Sequence, residues 1–122
     1  MAGQARTSAR SRPAAPHGEP FTDAGSAWFW AVSALKARRE GVRGGGFRIV
    51  RPCDPDDVVL AVERLHRAGR LSCVHLRVLQ SWGARGVAPD AMLQGDRQDT
   101  LLWHEALAAL RQPLRAKGVI AS

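Results

Sequence analysis

Apolar positions fall into four runs at helical spacing, separated by breaks rich in glycine or proline. In the first, Ala27, Trp28, Ala31, Val32 and Leu35 recur every three or four residues. That spacing predicts a helix over 23–40, capped by Thr22 or Asp23 and stopped by Gly41. Trp30 falls off the stripe, so it needs a second buried face or a contact surface. "CDPDD" is a second helix start: Asp54 is the N-cap, Pro55 takes the first position, and Asp56 and Asp57 face the positive dipole end. Val58, Val59, Val62 and Leu65 then line one face of a helix over 55–68 that Gly69 closes. Ser72 caps a third helix, 73–84, whose apolar face is Val74, Val78, Leu79 and Trp82, ending near Gly83 or Gly86. Past the loop "WGARGVAPD", a fourth helix is expected over 99–117. Its stripe is Leu102 or Trp103, Ala106 or Leu107, Leu110 and Leu114, with a kink at Pro113 and Gly118 as its end. The expected fold class is all-α.

The remainder lacks such patterning. Residues 1–20 hold no large apolar side chain beyond Met1, but they carry Arg6, Arg10, Arg12 and three prolines. They cannot bury a core and read as a disordered basic tail. An organelle transit helix would need bulky apolar residues on one face, and none is present. Gly44, Gly45 and Gly46 make a flexible joint and not a phosphate loop, because no Lys-Ser/Thr pair follows and no strand-glycine-helix order exists. "FRIV", 47–50, alternates apolar and polar and suits one short strand or an extended arm. A chain of 122 residues is long enough for one core and rarely two. The expected organisation is therefore a tail over 1–20 and a single helical domain over 21–122.

Charge narrows the choice of partner. Eighteen Lys+Arg against eleven Asp+Glu give +7, and sixteen of the cations are arginine. This balance favours an anionic partner, with nucleic acid ahead of an acidic protein or a membrane surface. The coding bias of a GC-rich genome would enrich arginine, alanine and glycine without any partner. The excess is uneven: residues 1–50 carry a net +5, residues 51–70 balance to zero, and residues 71–122 return +2. No apolar run approaches the roughly 20 residues of a membrane span. Two cysteines are too few for a disulfide scaffold, and no secretory signal opens the chain, so a reducing cytoplasm is the expected compartment.

Candidate chemistry is sparse. Cys53, His66, Cys73 and His75 lie close in sequence, yet none forms a C-x2-4-C or H-x3-5-H pair able to close on one zinc ion. Cys53 and His66 flank opposite ends of one predicted helix, and Cys73 and His75, two apart, point in different directions. No metal and no cofactor are expected. Neither G-x-S-x-G nor H-E-x-x-H occurs, and no catalytic residue is identified. A non-enzymatic protein is expected.

A helix, a tight turn of about four residues around Gly69 and a second helix outline a helix-turn-helix over 54–86. The stretch "VVLAVERLHRAGRLSCVHLRVLQSWGARG" resembles the tri-helical helix-turn-helix domains of bacterial transcription regulators, including the DNA-binding region 4 of sigma factors. The resemblance covers about thirty residues and implies a bacterial-type protein that binds double-stranded DNA. Sigma-type domains continue with a compact turn and a Ser/Thr/Arg-rich recognition helix; here "VAPDAMLQGDRQDT" is a long loop with three acids. Which helix would read DNA is therefore open. If the 73–84 helix enters the major groove, Arg77, Gln80, Ser81 and Arg85 lie opposite its apolar face, Arg suiting guanine and Gln adenine. Lys36, Arg38, Arg39, Arg43 and Arg48 are the expected phosphate contacts, with the tail arginines as a mobile arm. The rival expectation is a protein-interaction adaptor or a homodimer. Four tryptophans exceed what a minimal core demands, and Trp30 or Trp103 exposed at a groove would anchor a partner.

Overall fold

The computed structural model describes residues 18–41, 53–93 and 95–121. The expected tail (apart from Gly18–Pro20), the glycine joint and the "FRIV" segment lie outside them. Four helices follow in order: α1 (Ala24–Arg39), α2 (Pro55–Arg67), α3 (Cys73–Arg85) and α4 (Arg97–Ala116). Among the described residues no strand is present; an isolated bridge pairs Phe21 with Ile120. The fold class is all-α, as the periodicity predicts.

The boundaries of α1, α2 and α3 have local chemical causes. Asp23 accepts the Ser26 N–H at 2.8 Å to start α1. Asp54 precedes Pro55 at the start of α2, and the Asp57 carboxylate reaches back to the Asp54 N–H at 3.0 Å. Gly69, at φ +79, ends α2: its N–H bonds to the His66 carbonyl at 3.0 Å, and the Arg70 N–H to that of Leu65 at 2.8 Å. This left-handed cap satisfies carbonyls that the helix leaves open. The connection from α2 to α3 is Ala68–Ser72, one residue longer than the sequence suggests. α3 runs through Gly83 and ends at Gly86. α4 starts two residues earlier than its apolar stripe implies, and it continues past Pro113 to Ala116.

α1 packs against all three other helices, most extensively on α2, while α3 lies mainly along α4. α2 and α3 touch each other least. The shared core holds Ala27, Trp28 and Ala31 of α1, Val58, Val62 and Leu65 of α2, Val78, Leu79 and Trp82 of α3, and Trp103, Leu110 and Leu114 of α4. Burial of each large apolar side chain contributes about 1.5–3 kcal/mol. Phe21, Val119 and Ile120 close the core from outside the helices; the Phe21 N–H donates to the Val119 carbonyl at 2.9 Å and the Ala121 N–H to that of Phe21 at 2.8 Å.

Three expectations about packing are corrected. Val74 is 41% exposed, because it sits in the first turn of α3 where no other helix covers it. Val59 is only partly buried, and Ala61 takes its place on the core face of α2. Neither tryptophan proposed as an exposed anchor is free: Trp103 is buried, its ring 5.3 Å from that of Phe29, and Trp30 stacks at 5.2 Å against Phe21.

α1 and α3 approach closely at one point. The Trp28 indole donates to the Leu79 carbonyl at 2.8 Å inside the core. A Cβ at Gly83 would stand 2.7 Å from Trp28 Nε1 and 3.1 Å from Val32 Cγ2. Glycine mid-helix costs about 1 kcal/mol relative to alanine. Here it permits that approach.

Candidate functional site

The polar residues anticipated on α3 do share its outward side. Arg77, Gln80 and Ser81 are exposed and stand opposite Val78, Leu79 and Trp82. Arg85 differs: its guanidinium lies 4.3 Å from the centroid of the Trp82 ring, a cation–π contact, and the indole below donates to Asp99 at 2.9 Å. It covers the end of α3.

The expected phosphate contacts on α1 divide. Arg38 reaches Asp54 Oδ1 at 3.0 Å and Asp56 Oδ2 at 3.2 Å, tying the end of α1 to the start of α2. The Asp54 and Asp56 hydrogen bonds raise its pKa above the ordinary value. A phosphate would have to displace two carboxylates. Lys36 and Arg39 are exposed without an ion-pair partner among the described residues. Arg43 and Arg48 lie outside the described residues. No hydrogen bond or ion pair links the α1 cations to the α3 set among the described residues.

The structure brings forward cations that summed charge conceals. α2 is polarised: Asp54, Asp56 and Asp57 sit at its start, Arg64 and Arg67 in its last turn, and Arg70 in the turn after it. The charges cancel in sequence but separate in space. Arg64, Arg67 and Arg70 are all exposed and lead into α3 towards Arg77. Glu63 approaches Arg67 at 4.0 Å, the limit of an ion pair. A tally by half-helix, not by segment, would have shown this end.

His66 and His75 hold the turn and α3 in place. His66 Nδ1 lies 2.8 Å from the Leu71 carbonyl; a carbonyl only accepts, so that nitrogen carries the proton. His75 is the opposite tautomer. Its Nδ1 accepts the Ser72 N–H at 3.1 Å, and its Nε2 donates to Glu105 of α4 at 2.9 Å. The Ser72 hydroxyl in turn accepts the His75 N–H at 3.3 Å, completing a capping box. The start of α3 is thereby fixed to α4.

The other polar candidates are likewise engaged. Asp90 accepts the Met92 N–H at 2.9 Å, Asp96 accepts the Asp90 N–H at 3.3 Å, and Asp99 holds Trp82. The three acids of the long loop thus organise it. Among the described residues no three His, Cys, Asp or Glu side chains converge as a metal site. Burial, reinforced by the Asp57 and Asp54 charges, pushes the Cys53 thiol up to about 11. No described helix is long and apolar enough to cross a membrane.

Where α2 and α3 diverge, a groove of about 410 Å³ opens. Trp28, Val62 and Leu79 form its floor, Val59 and Leu76 its walls, and His66, Arg67 and Gln80 part of its rim. Compared with models of protein families, with curated proteins and with solved structures, the chain matches none.

Proposed function

We propose that this is a non-enzymatic, transcription-associated protein of bacterial type that binds duplex DNA through the α2–turn–α3 corner and acts in the cytoplasm. The observation that carries the reading is the exposed polar side of α3 next to a cationic turn: Arg77, Gln80 and Ser81 follow Arg64, Arg67 and Arg70. Side chains on α3 supply donors and acceptors to base edges, and the turn arginines neutralise backbone phosphates. The His75–Glu105 link and the Ser72 cap hold α3 rigid against α4, so little ordering is required on binding. No metal and no cofactor enter this reading.

Titration of labelled duplex at two salt concentrations tests it. Each phosphate neutralised releases about 0.9 counterion, so affinity should fall steeply as salt rises. Arg64→Ala with Arg67→Ala should weaken all sequences alike and flatten the salt slope by about two. Arg77→Ala or Gln80→Ala should instead change preference among sequences. Binding that is undetectable at low salt, or indifferent to salt, rejects the proposal.

The second reading, a protein-interaction adaptor or homodimer, is favoured by the groove between α2 and α3. There the partly buried Val59 and Leu76 supply the apolar surface open to a partner, over a floor that includes the buried Trp28 ring. An interface centred on that groove would be insensitive to salt, and Leu76→Asp would abolish it.

A further inference from the structure

The outward side of α4 carries three arginines and a histidine that the corner does not use. Arg97, His104, Arg111 and Arg115 are all exposed and follow one another at intervals of seven, seven and four residues. At 3.6 residues per turn those intervals keep all four within about 40° of one another, in a stripe about 27 Å long. Glu105, which turns towards α3 to meet His75, lies roughly 95° round the helix from them. The stripe therefore does not share the flank that α3 occupies. Ala108 and Gln112 beside it are also exposed, and neither carries a charge. Residues 106–122 contain three cations and no acid, and none of the stripe's arginines has an ion-pair partner among the described residues.

Helix stability does not account for the arrangement. Arg115 lies in the last turn, where a cation complements the dipole, but Arg97 occupies the first turn, where a cation opposes it. Arg111 sits between, beyond the reach of either end effect. A surface that costs local stability at one end, and has uncharged neighbours in Leu101, Ala108 and Gln112, suits an extended anionic ridge.

We infer that the α4 stripe is a second surface for the phosphate backbone of duplex DNA, so that one chain can hold two duplex segments. The inference rests on the duplex-binding reading of the α2–α3 corner. The stripe's arginines act here on phosphates, contacts that position a duplex without reading its bases, so capture of this second segment should be indifferent to sequence.

The test immobilises one duplex on beads, saturates it with the full-length protein and measures capture of a second, fluorescent duplex at low salt. Wild-type protein should capture it. Arg111→Glu with Arg115→Glu should reduce capture at least about tenfold, through two lost phosphate contacts, while the first duplex keeps its sequence preference. Arg97→Glu should also reduce capture, yet raise the thermal midpoint, because a carboxylate there favours the dipole. That pairing excludes unfolding as the cause. Sequence-selective binding of one duplex with no capture of a second defeats this inference and leaves the corner intact. Capture that survives the α4 changes, with a dimer in sedimentation, defeats it as well. So does arginine-dependent binding to phosphatidylserine vesicles with no duplex captured. Binding of a single duplex that needs Arg111 and Arg115 but ignores Arg77 and Gln80 would reject α3 as the reader and, with it, the holding of two duplexes. No duplex bound at all rejects both.

Discussion

Gly83 and Trp28 show how one residue type constrains another across the core. Gly83→Ala gains about 1 kcal/mol of helix propensity but drives a methyl into the indole nitrogen and Val32, an overpacking that costs about 1–3 kcal/mol. The expected result is net destabilisation. Trp28→Phe alone removes the hydrogen bond to Leu79, worth about 1 kcal/mol. Phenylalanine also lacks the atom that the new methyl would strike, so the double variant should lose less than the sum of the two. Urea unfolding of the three variants measures the coupling; strict additivity would show that the contact is not the reason for the glycine. Cys53 and Cys73 offer a second contrast, since Cys73 is exposed and Cys53 is partly buried. A thiol reagent near neutral pH should label Cys73 first, with Cys53 following only as pH approaches 11 or the chain unfolds. Peptide mass spectrometry distinguishes the two, and equal rates would contradict the burial. The linkage has a definite sign: the folded pKa is raised from 9.0, so the unfolded chain loses this proton first. The Cys53 contribution to stability is present below pH 9.0 and declines as pH rises towards 11.

At the level of elements, legibility followed local chemistry. α2 and α3 could be placed to within a residue because Asp54-Pro55, Gly69 and Ser72 act on their own backbone neighbours. The start of α4 was illegible, since Arg97 and Gln98 are polar helix residues ahead of the first apolar one. Periodicity also reports spacing and not coverage. It put Val74 on the stripe, although no helix covers that side of the first turn of α3, and it passed over Ala24 and Ala61, whose small side chains give little signal yet are buried in the core. Arg38 lay in a cationic run whose obvious reading was a phosphate patch. Only the antiparallel return of α2 reveals the two aspartates that occupy it.

For the whole molecule, charge distribution mattered more than net charge. The segment that sums to zero contains both an acidic end tied to α1 and a basic end open to solvent, and summation erases that polarity. The alignment of Arg97, Arg111 and Arg115 along α4 was present in the sequence, but only the packing of the opposite face shows which side looks outward. The residues that join the two ends of the fold were the least legible. Phe21 is separated from Val119 and Ile120 by nearly the whole span of the described residues, and no local rule pairs them.

That pairing makes the order in which the helices are synthesised incidental to the architecture. With Phe21 and Ile120 bridged, the helices form a closed circuit, and the break in it could be moved elsewhere. A circular permutant that links Ala121 to Gly18 through an added flexible linker, with new ends opened between the exposed residues Ala91 and Met92, tests this. It should retain the helical far-UV spectrum and a single cooperative melt. A permutant that melts without cooperativity would show that the α3–α4 connection, and not the meeting of the ends, is what closes the circuit.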